Sequence, residues 1–230
     1  MTRLRGDAGT IAGMQLVSRP QIDAIRRQLD ARGGFRVARV DVSFDTFDFA
    51  RTGADLVDRA VAYSTPSGER IAGLGTAWRA TASGPDRFVA LRDEREGAGH
   101  HDLVSFVGFA FSPEGPTTST WEGYEASEVF IPRITLESID GGTRLTVAVP
   151  DGERTEPTLE LLASMRSPKW IAVDDTGDHS IESHPHVTEW ASTVAKAVDV
   201  IRSGDLEKVV LARSVIVNST EPVAILRVFR

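Results

Sequence analysis

The segment from Trp190 to Val217 constrains the fold most strongly, because a helical period gives way there to a strand period. Ser203-Gly204 is typical of a left-handed helix end, and from Lys208 to Val217 the side chains alternate between two faces. Before that turn, apolar side chains recur along one helical stripe at Trp190, Val194, Ala197, Val198 and Ile201. The sequence therefore predicts a helix, a glycine turn and a strand that begins at Lys208.

Lys208 is the most informative residue of that predicted strand. Only three of the 26 Lys and Arg residues are lysines. Burial disfavours the charged ammonium and lowers its pKa, and a lysine that is neutral near pH 7 can act as a general base. A strand-end lysine can instead reach water along its own methylene stem, and the pattern alone leaves both interpretations open. The predicted face of Lys208 is small and apolar, with Val210, Ala212, Ser214 and Ile216.

The sequence Glu-Lys-Val-Val-Leu-Ala-Arg at residues 207–213 resembles the lysine motif of the isochorismate synthases, a family of chorismate-utilising enzymes. The resemblance covers residues 40 to 230 and includes weaker upstream matches in the family's order. Ser64–Gly75 resembles an early hairpin and glycine-rich strand, Val107–Pro113 a Gly-Phe-Ala-Phe strand, and Trp121 with Val129–Pro132 the tryptophan and strand that follow.

The resemblance implies an α+β fold with a large, mostly antiparallel sheet core, outer helices and an active site in a cleft. It also implies that this fold is incomplete in the chain. We expect a ragged amino terminus at residues 1–18 and the amino-terminal part of the fold at 19–186. The start of the chorismate-binding catalytic region would then occupy 187–230, after a linker or loop at 173–185.

By the same resemblance, Lys208 takes a proton from the water that attacks C2 of chorismate while the C4 hydroxyl leaves, giving isochorismate. The family uses Mg²⁺. Its general-acid glutamate, metal carboxylates and substrate-binding groups follow the lysine strand, so the resemblance assigns no residue of this chain to those roles. We therefore expect the 230-residue chain to be an inactive truncated form. A salicylate synthase, which keeps the lysine, and a non-catalytic remnant or binding module of the same fold remain alternatives.

The composition limits the classes of molecule that the chain is expected to bind. A net charge of −7 and a pI of about 5.3 argue against nucleic acid and anionic membranes. The absence of cysteine excludes disulfides and thiolate catalysis. No apolar run has the length of a membrane-spanning helix. We expect a cytoplasmic enzyme that binds the small molecule chorismate; the sequence leaves open menaquinone or siderophore biosynthesis and the oligomeric state.

Local patterns place the other elements. Phe35–Phe49 is predicted to be largely extended, and Pro66-Ser-Gly68 to be the turn of a hairpin. Helices are predicted at Gln21–Leu29, Asp86–Glu96, Thr158–Met165 and Val223–Arg230. Strands are predicted at Arg59–Ser64, Ile71–Ala82, Leu103–Phe111, Glu128–Glu137 and Thr143–Val149.

The remaining polar candidates carry weaker signals. Two imidazoles at His184 and His186 without a third ligand favour a solvated loop over a metal site, as do His100-His101. Gly73-Leu-Gly75 lacks the third glycine of a phosphate-binding fingerprint and favours a strand interior. Arg213 lies on the face opposite Lys208, which favours packing or an ion pair over carboxylate binding. Asp174-Asp175 is interpreted as a solvated turn.

Overall fold

The computed structural model describes residues 15–30, 33–139, 141–167 and 179–220. The chain divides into two units, Met1–Trp170 and Ile171–Arg230. The first contains α1 (Arg19–Leu29), β1 (Arg36–Val42), α2 (Thr46–Ala54), β2 (Ala60–Ser64), β3 (Arg70–Leu74), β4 (Trp78–Thr81), α3 (Arg87–Gly97), β5 (Phe106–Phe109), β6 (Ser127–Ile131), β7 (Ile134–Ile139), β8 (Gly142–Val149) and α4 (Glu156–Ser164). The second contains β9 (His179–His184), α5 (Val187–Ser203) and β10 (Ser214–Ser219).

A five-stranded sheet in the order β1-β8-β7-β3-β2 forms the centre of the first unit. All its pairs are antiparallel, and helices α1 and α2 pack against it. The central strands are buried in unbroken runs, at Ala72–Leu74, Ile134–Leu136 and Leu145–Val149, so both faces of the sheet are covered there. The fully buried residues include Ile25 and Leu29 from α1 and Leu74, Leu136, Leu145 and Val147 from the strands. The predicted α+β fold with an antiparallel sheet and outer helices is therefore confirmed.

A second sheet, in the order β4-β6-β5, is covered on one face by α3. Two predicted strands, Ile71–Ala82 and Glu128–Glu137, each prove to be two strands that lie in different sheets. β3 pairs with β7 in the first sheet and β4 pairs with β6 in the second, so one long antiparallel ribbon bends from sheet to sheet. The bend lies where Gly75 takes a positive φ of 62° and where Pro132 has no amide hydrogen to donate.

Helix α2 corrects the prediction that Phe35–Phe49 is largely extended. The extended part ends with β1 at Val42. Asp45 then caps a helix, since its carboxylate accepts hydrogen bonds from the amides of Phe47 at 2.8 Å and Asp48 at 3.1 Å. Phe49 and other residues of the helix are buried against the sheet.

The predicted helices at Gln21–Leu29, Asp86–Glu96 and Thr158–Met165 are confirmed as α1, α3 and α4. The hairpins β2–β3 and β7–β8 are also confirmed. Of the expected ragged start, residues 1–14 lie outside the described residues. Val17 is fully buried and the Leu16 amide donates to the Met165 carbonyl at 3.2 Å.

The second unit contains the α5 helix predicted by the apolar stripe, and Gly204 ends it with a φ of 87°. The predicted strand from Lys208 is wrong at its start, since residues 208–213 have no regular structure and β10 begins at Ser214. Part of the predicted linker at 173–185 is β9, which pairs antiparallel with β10. Residues 173–178 and the predicted helix Val223–Arg230 lie outside the described residues.

The close approach of the two strands at the bend can be tested by a substitution at Gly73. A Cβ added there would lie 2.5 Å from Cγ of Pro132 and 3.0 Å from Cγ2 of Val61. We expect Gly73→Ala to lower the free energy of unfolding by about 1–3 kcal/mol, as overpacking does. Urea denaturation measures the change. Gly108→Ala is the matched control, because this β5 glycine has no heavy atom within 4 Å of an added Cβ. Equal effects of the two substitutions would contradict the close approach at the bend.

Candidate functional site around Lys208

Lys208 follows α5 by a tight turn. The Gly204 amide donates to the Ile201 carbonyl at 3.1 Å, and Ser203 Oγ lies 2.8 Å from Oδ2 of Asp205. This turn terminates α5, and Lys208 follows Gly204 by four residues. The helix and turn that precede the lysine are therefore as the sequence predicted.

The environment of Lys208 differs from the prediction. Lys208 is exposed, and so are the four residues predicted to share its face: Val210, Ala212, Ser214 and Ile216. No residue between 180 and 218 is buried, so these described residues do not remove the lysine from water. The structure therefore does not show the expected burial, and the assignment of Lys208 as a catalytic base stays a prediction.

Arg213 lies with its guanidinium carbon 5.9 Å from the ring centroid of Trp190, the first aromatic residue of the α5 stripe. This distance is at the outer limit of a cation–π contact. The contact supports the packing interpretation of Arg213 and connects the residues after Lys208 to the first turns of α5.

The histidines do not form a metal centre among the described residues. His184 Nε2 is 3.7 Å from Oε2 of Glu182, and His186 Nδ1 is 3.0 Å from Oγ1 of Thr188. His100 packs its ring 4.4 Å from that of Phe35. Within the described ranges, no group of three or more His, Cys, Asp or Glu side chains could hold a metal ion. Asp174-Asp175 lies outside those ranges, and the Mg²⁺ requirement stays a prediction.

The upstream segments that resemble the family lie in the first unit. Gly73 and Leu74 belong to β3, as the predicted strand interior requires, whereas Gly75 follows the strand and has a positive φ of 62°. Val107–Pro113 contains most of β5, an edge strand whose Phe109 meets Phe88 of α3 edge-to-face with centroids 5.2 Å apart. Phe109 and Phe111 are both exposed.

A charged cluster around Glu128 was missed by the sequence analysis. Glu128 of β6 accepts hydrogen bonds from Arg59 Nη1 at 3.0 Å and Arg79 Nε at 2.8 Å, and Arg79 Nη2 donates to Glu125 at 2.9 Å. Burial raises the pKa of Glu128, but the hydrogen bonds and charges of the two arginines lower it more, so the pKa lies below its usual value. The two arginines are 69 and 49 residues away in sequence, so no local pattern could indicate the cluster.

A polar cleft of about 480 Å³ lies between the end of α1 and the start of α4. Its most buried cation, Arg36, already donates to Thr155 Oγ1 at 3.0 Å and to the carbonyls of Leu29 and Glu153. The charges that line it include Arg26, Asp30, Asp151 and Glu156 and have both signs. The cleft therefore does not select an anionic ligand.

Comparisons with known proteins agree with the family resemblance that the motifs indicated. A family model described as a chorismate binding enzyme matches residues 36–230. The isochorismate synthase MenF of Bacillus subtilis (strain 168) is 27% identical over 127 residues, which are 53% of this chain and 27% of that protein. The structure of MenF from Escherichia coli, titled as a menaquinone-specific isochorismate synthase, matches with a TM-score of 0.58 and 20% identity. That match covers 88% of this chain and 46% of the other.

The chain therefore belongs to the chorismate-binding enzyme family, because the family model matches most of its length. The resemblance stated from the motifs is confirmed. The chain spans less than half the length of the relatives that it matches. None of the helices in the described ranges combines the length and the hydropathy of a membrane-spanning segment.

Glu128 provides a test of the charged cluster. Since its pKa is lowered in the folded protein, its contribution to stability is present above the usual pKa of 4.5 and disappears as the pH falls through the folded value. We expect Glu128→Gln to lower the free energy of unfolding at pH 7 by about 1–2 kcal/mol. Below pH 4 the difference between the two proteins should shrink.

The control is Glu96→Gln, since Glu96 is 66% exposed and lies 3.9 Å from Arg92. Exposed pairs of this kind contribute little, so this substitution should change stability far less. Urea denaturation between pH 3 and pH 7 measures both variants. A loss for Glu128→Gln that stays constant across this range would contradict the ionic origin of the effect.

Glu137 should behave in the opposite way. It lies between Ile71 and Arg144 in the five-stranded sheet, and burial raises its pKa more than the charges of Arg144 and Arg39 lower it. Its ionised form therefore costs stability above the folded pKa, and this cost disappears as the pH falls toward 4.5. We expect Glu137→Gln to leave stability unchanged or higher at pH 7 in the same denaturation series. A clear destabilisation at pH 7 would show that the carboxylate is favourable there.

Proposed function

We propose that this chain forms the amino-terminal portion of an isochorismate synthase in which Lys208 is the general base. The observation that carries the proposal is the family match through residue 230, with the lysine motif placed directly after α5 and its glycine turn. Chorismate is then the substrate, and the menaquinone pathway is favoured because both named relatives are MenF proteins. A siderophore pathway is the alternative.

In the proposed reaction, the Lys208 amine takes a proton from water while the water oxygen forms a bond to C2 of chorismate. The C4 hydroxyl leaves as its carbon–oxygen bond breaks, and an acid outside the assigned residues of this chain supplies its proton. Lys208 can take the proton only when its amine is neutral, and desolvation is the physical cause that favours the neutral form. A binding cleft must therefore exclude water around Lys208.

The only ground for including Mg²⁺ in this proposal is the family resemblance. When bound, the ion would neutralise substrate carboxylates and further disfavour a charged lysine. The described residues include no cluster of ligands for it, so no step of the proposed reaction runs through the metal.

A second candidate function is a non-catalytic binding module, and the exposure of Lys208 favours it. A lysine that remains in water does not act as a base but can still attract the carboxylates of chorismate. Under this alternative the chain binds chorismate without turnover. Isothermal titration calorimetry of the 230-residue chain with chorismate, alongside an activity assay, separates the two candidates.

The activity assay uses chorismate and Mg²⁺ with product separation by liquid chromatography. We expect the 230-residue chain alone to show no turnover, since Lys208 is exposed and none of the described residues 180–218 is buried. Robust conversion by the chain alone would refute that expectation. Isochorismate and salicylate elute as different products, so the same assay distinguishes a salicylate synthase.

For a polypeptide that joins this chain to the remaining part of the fold, we expect Lys208→Ala to reduce turnover by at least about 100-fold, as loss of a general base does. Lys196→Ala is the matched control, because Lys196 lies on α5 away from the motif and should leave turnover unchanged. Circular dichroism checks that both variants fold. Activity retained by Lys208→Ala would remove this lysine from the mechanism.

A further inference from the structure

The outer edge of β1 is one end of the five-stranded sheet, whose order is β1-β8-β7-β3-β2. In an antiparallel strand, alternate residues direct their backbone groups to the same side. Arg39 and Asp41 direct theirs to α1, on the side of β1 away from β8. A free strand edge is a template on which another chain can pair. The groups that occupy this edge therefore decide what can bind to it.

The side-chain amide of Gln28 pairs with the backbone of Arg39 as a neighbouring strand would. The Arg39 amide donates to Gln28 Oε1 at 2.9 Å, and Gln28 Nε2 donates to the Arg39 carbonyl at 3.0 Å. Two facing residues of an antiparallel pair exchange the same two bonds. Gln21 Nε2 also donates to the Asp41 carbonyl at 3.0 Å. Side chains of α1 therefore occupy three backbone groups of the β1 edge.

The residue type and the spacing are those that this pairing requires. Gln21 and Gln28 are seven residues apart, which places them on the same side of the helix after two turns. The buried residues that anchor α1 lie beside them, at Ile22, Ile25 and Leu29. An amide side chain both donates and accepts, whereas a carboxylate only accepts and a leucine does neither. Ser18 orients Gln21, since its amide and hydroxyl donate to Gln21 Oε1 at 2.9 and 2.8 Å.

The side chain of Arg39 is held as well. Its guanidinium pairs with Asp102, in the loop between α3 and β5. Arg95 fixes that loop from within, because its guanidinium donates to one hydroxyl and three carbonyls of the loop at distances between 2.7 and 3.1 Å. Charged side chains on an edge strand disfavour pairing with another chain. Arg39 is therefore constrained by α1 at its backbone and by this loop at its side chain.

We propose that α1 caps the edge of β1 and so excludes a second copy of this chain from pairing with the sheet there. A second copy would fit this edge by symmetry. A two-fold axis at Arg39 pairs Val37 of one copy with Asp41 of the other and uses the Arg39 groups that Gln28 occupies. This capping depends on hydrogen bonds of the first unit and not on the proposed function.

Hydrogen exchange of the Arg39 amide in dilute solution, followed by NMR, tests the cap. We expect Gln28→Leu to speed this exchange at least about tenfold, because the amide loses its acceptor. Gln28→Glu keeps an acceptor and should keep the amide protected. Arg27→Leu adds the same apolar side chain at the next, exposed position of α1 and is the matched control.

Slow exchange of the β8 amides in the same spectra shows that each variant is folded. Exchange of the Arg39 amide that Gln28→Leu leaves unchanged would overturn the cap. Rapid exchange of that amide in a folded Gln28→Glu variant would overturn it as well, because the carboxylate would then not accept from Arg39. The second variant decides the question if Gln28→Leu does not fold.

Analytical ultracentrifugation tests the exclusion of a second copy. We expect the double variant Gln21→Leu with Gln28→Leu to self-associate as its concentration rises, and its Arg39 amide to become protected again over the same range, since a second copy replaces the glutamines. The unchanged chain and Arg27→Leu give the baseline for association through other surfaces. Association of the double variant no stronger than this baseline, or without renewed protection of Arg39, would overturn the exclusion of a second copy at β1.

Discussion

The bend in the ribbon formed by β3, β4, β6 and β7 determines how the first unit is built. At the bend, the amide of Ala77 donates to the Ile131 carbonyl at 2.8 Å, and that of Arg133 to the Gly75 carbonyl at 3.4 Å. Pairing therefore continues through the corner while the side chains change sheets. Gly73 permits the approach of Pro132, because any Cβ there would overlap the proline ring. Without this corner, the strands that hold the buried core and those that hold Glu128 could not come from one ribbon.

The Glu128 cluster connects the two sheets beside the same corner. Arg59 precedes β2 of the first sheet, whereas Glu128 and Arg79 belong to the second. Arg59 also lies 4.5 Å above the ring of Phe130, so its guanidinium combines an ion pair with an aromatic contact. Such a half-buried network costs desolvation energy and is favourable only when the geometry is good. It therefore constrains the angle between the sheets as well as adding to stability.

Sequence reasoning succeeded where the determining contacts are local. The α5 stripe and Gly204, and the turn between β2 and β3, depend on residues a few positions apart, and each lies where the sequence placed it. It failed where contacts between residues far apart in sequence determine the local structure. The split of Ile71–Ala82 depends on a corner shared with Pro132, and the start of β10 at Ser214 depends on its pairing with His184. The Asp45 cap of α2 is local, however, and was a signal that the sequence analysis could have used.

The same distinction explains why the candidate site is recognisable but chemically incomplete in this unit. A helix, an αL turn and a lysine can be encoded by some twenty adjacent residues, and all are present. The basicity of that lysine is not a local property, because it depends on how much water neighbouring elements remove. Residues 180–218 include exposed apolar side chains and no buried residue. In the proposed reaction the Lys208 amine is the atom that would accept the proton, and the elements that remove water from it would determine whether it does.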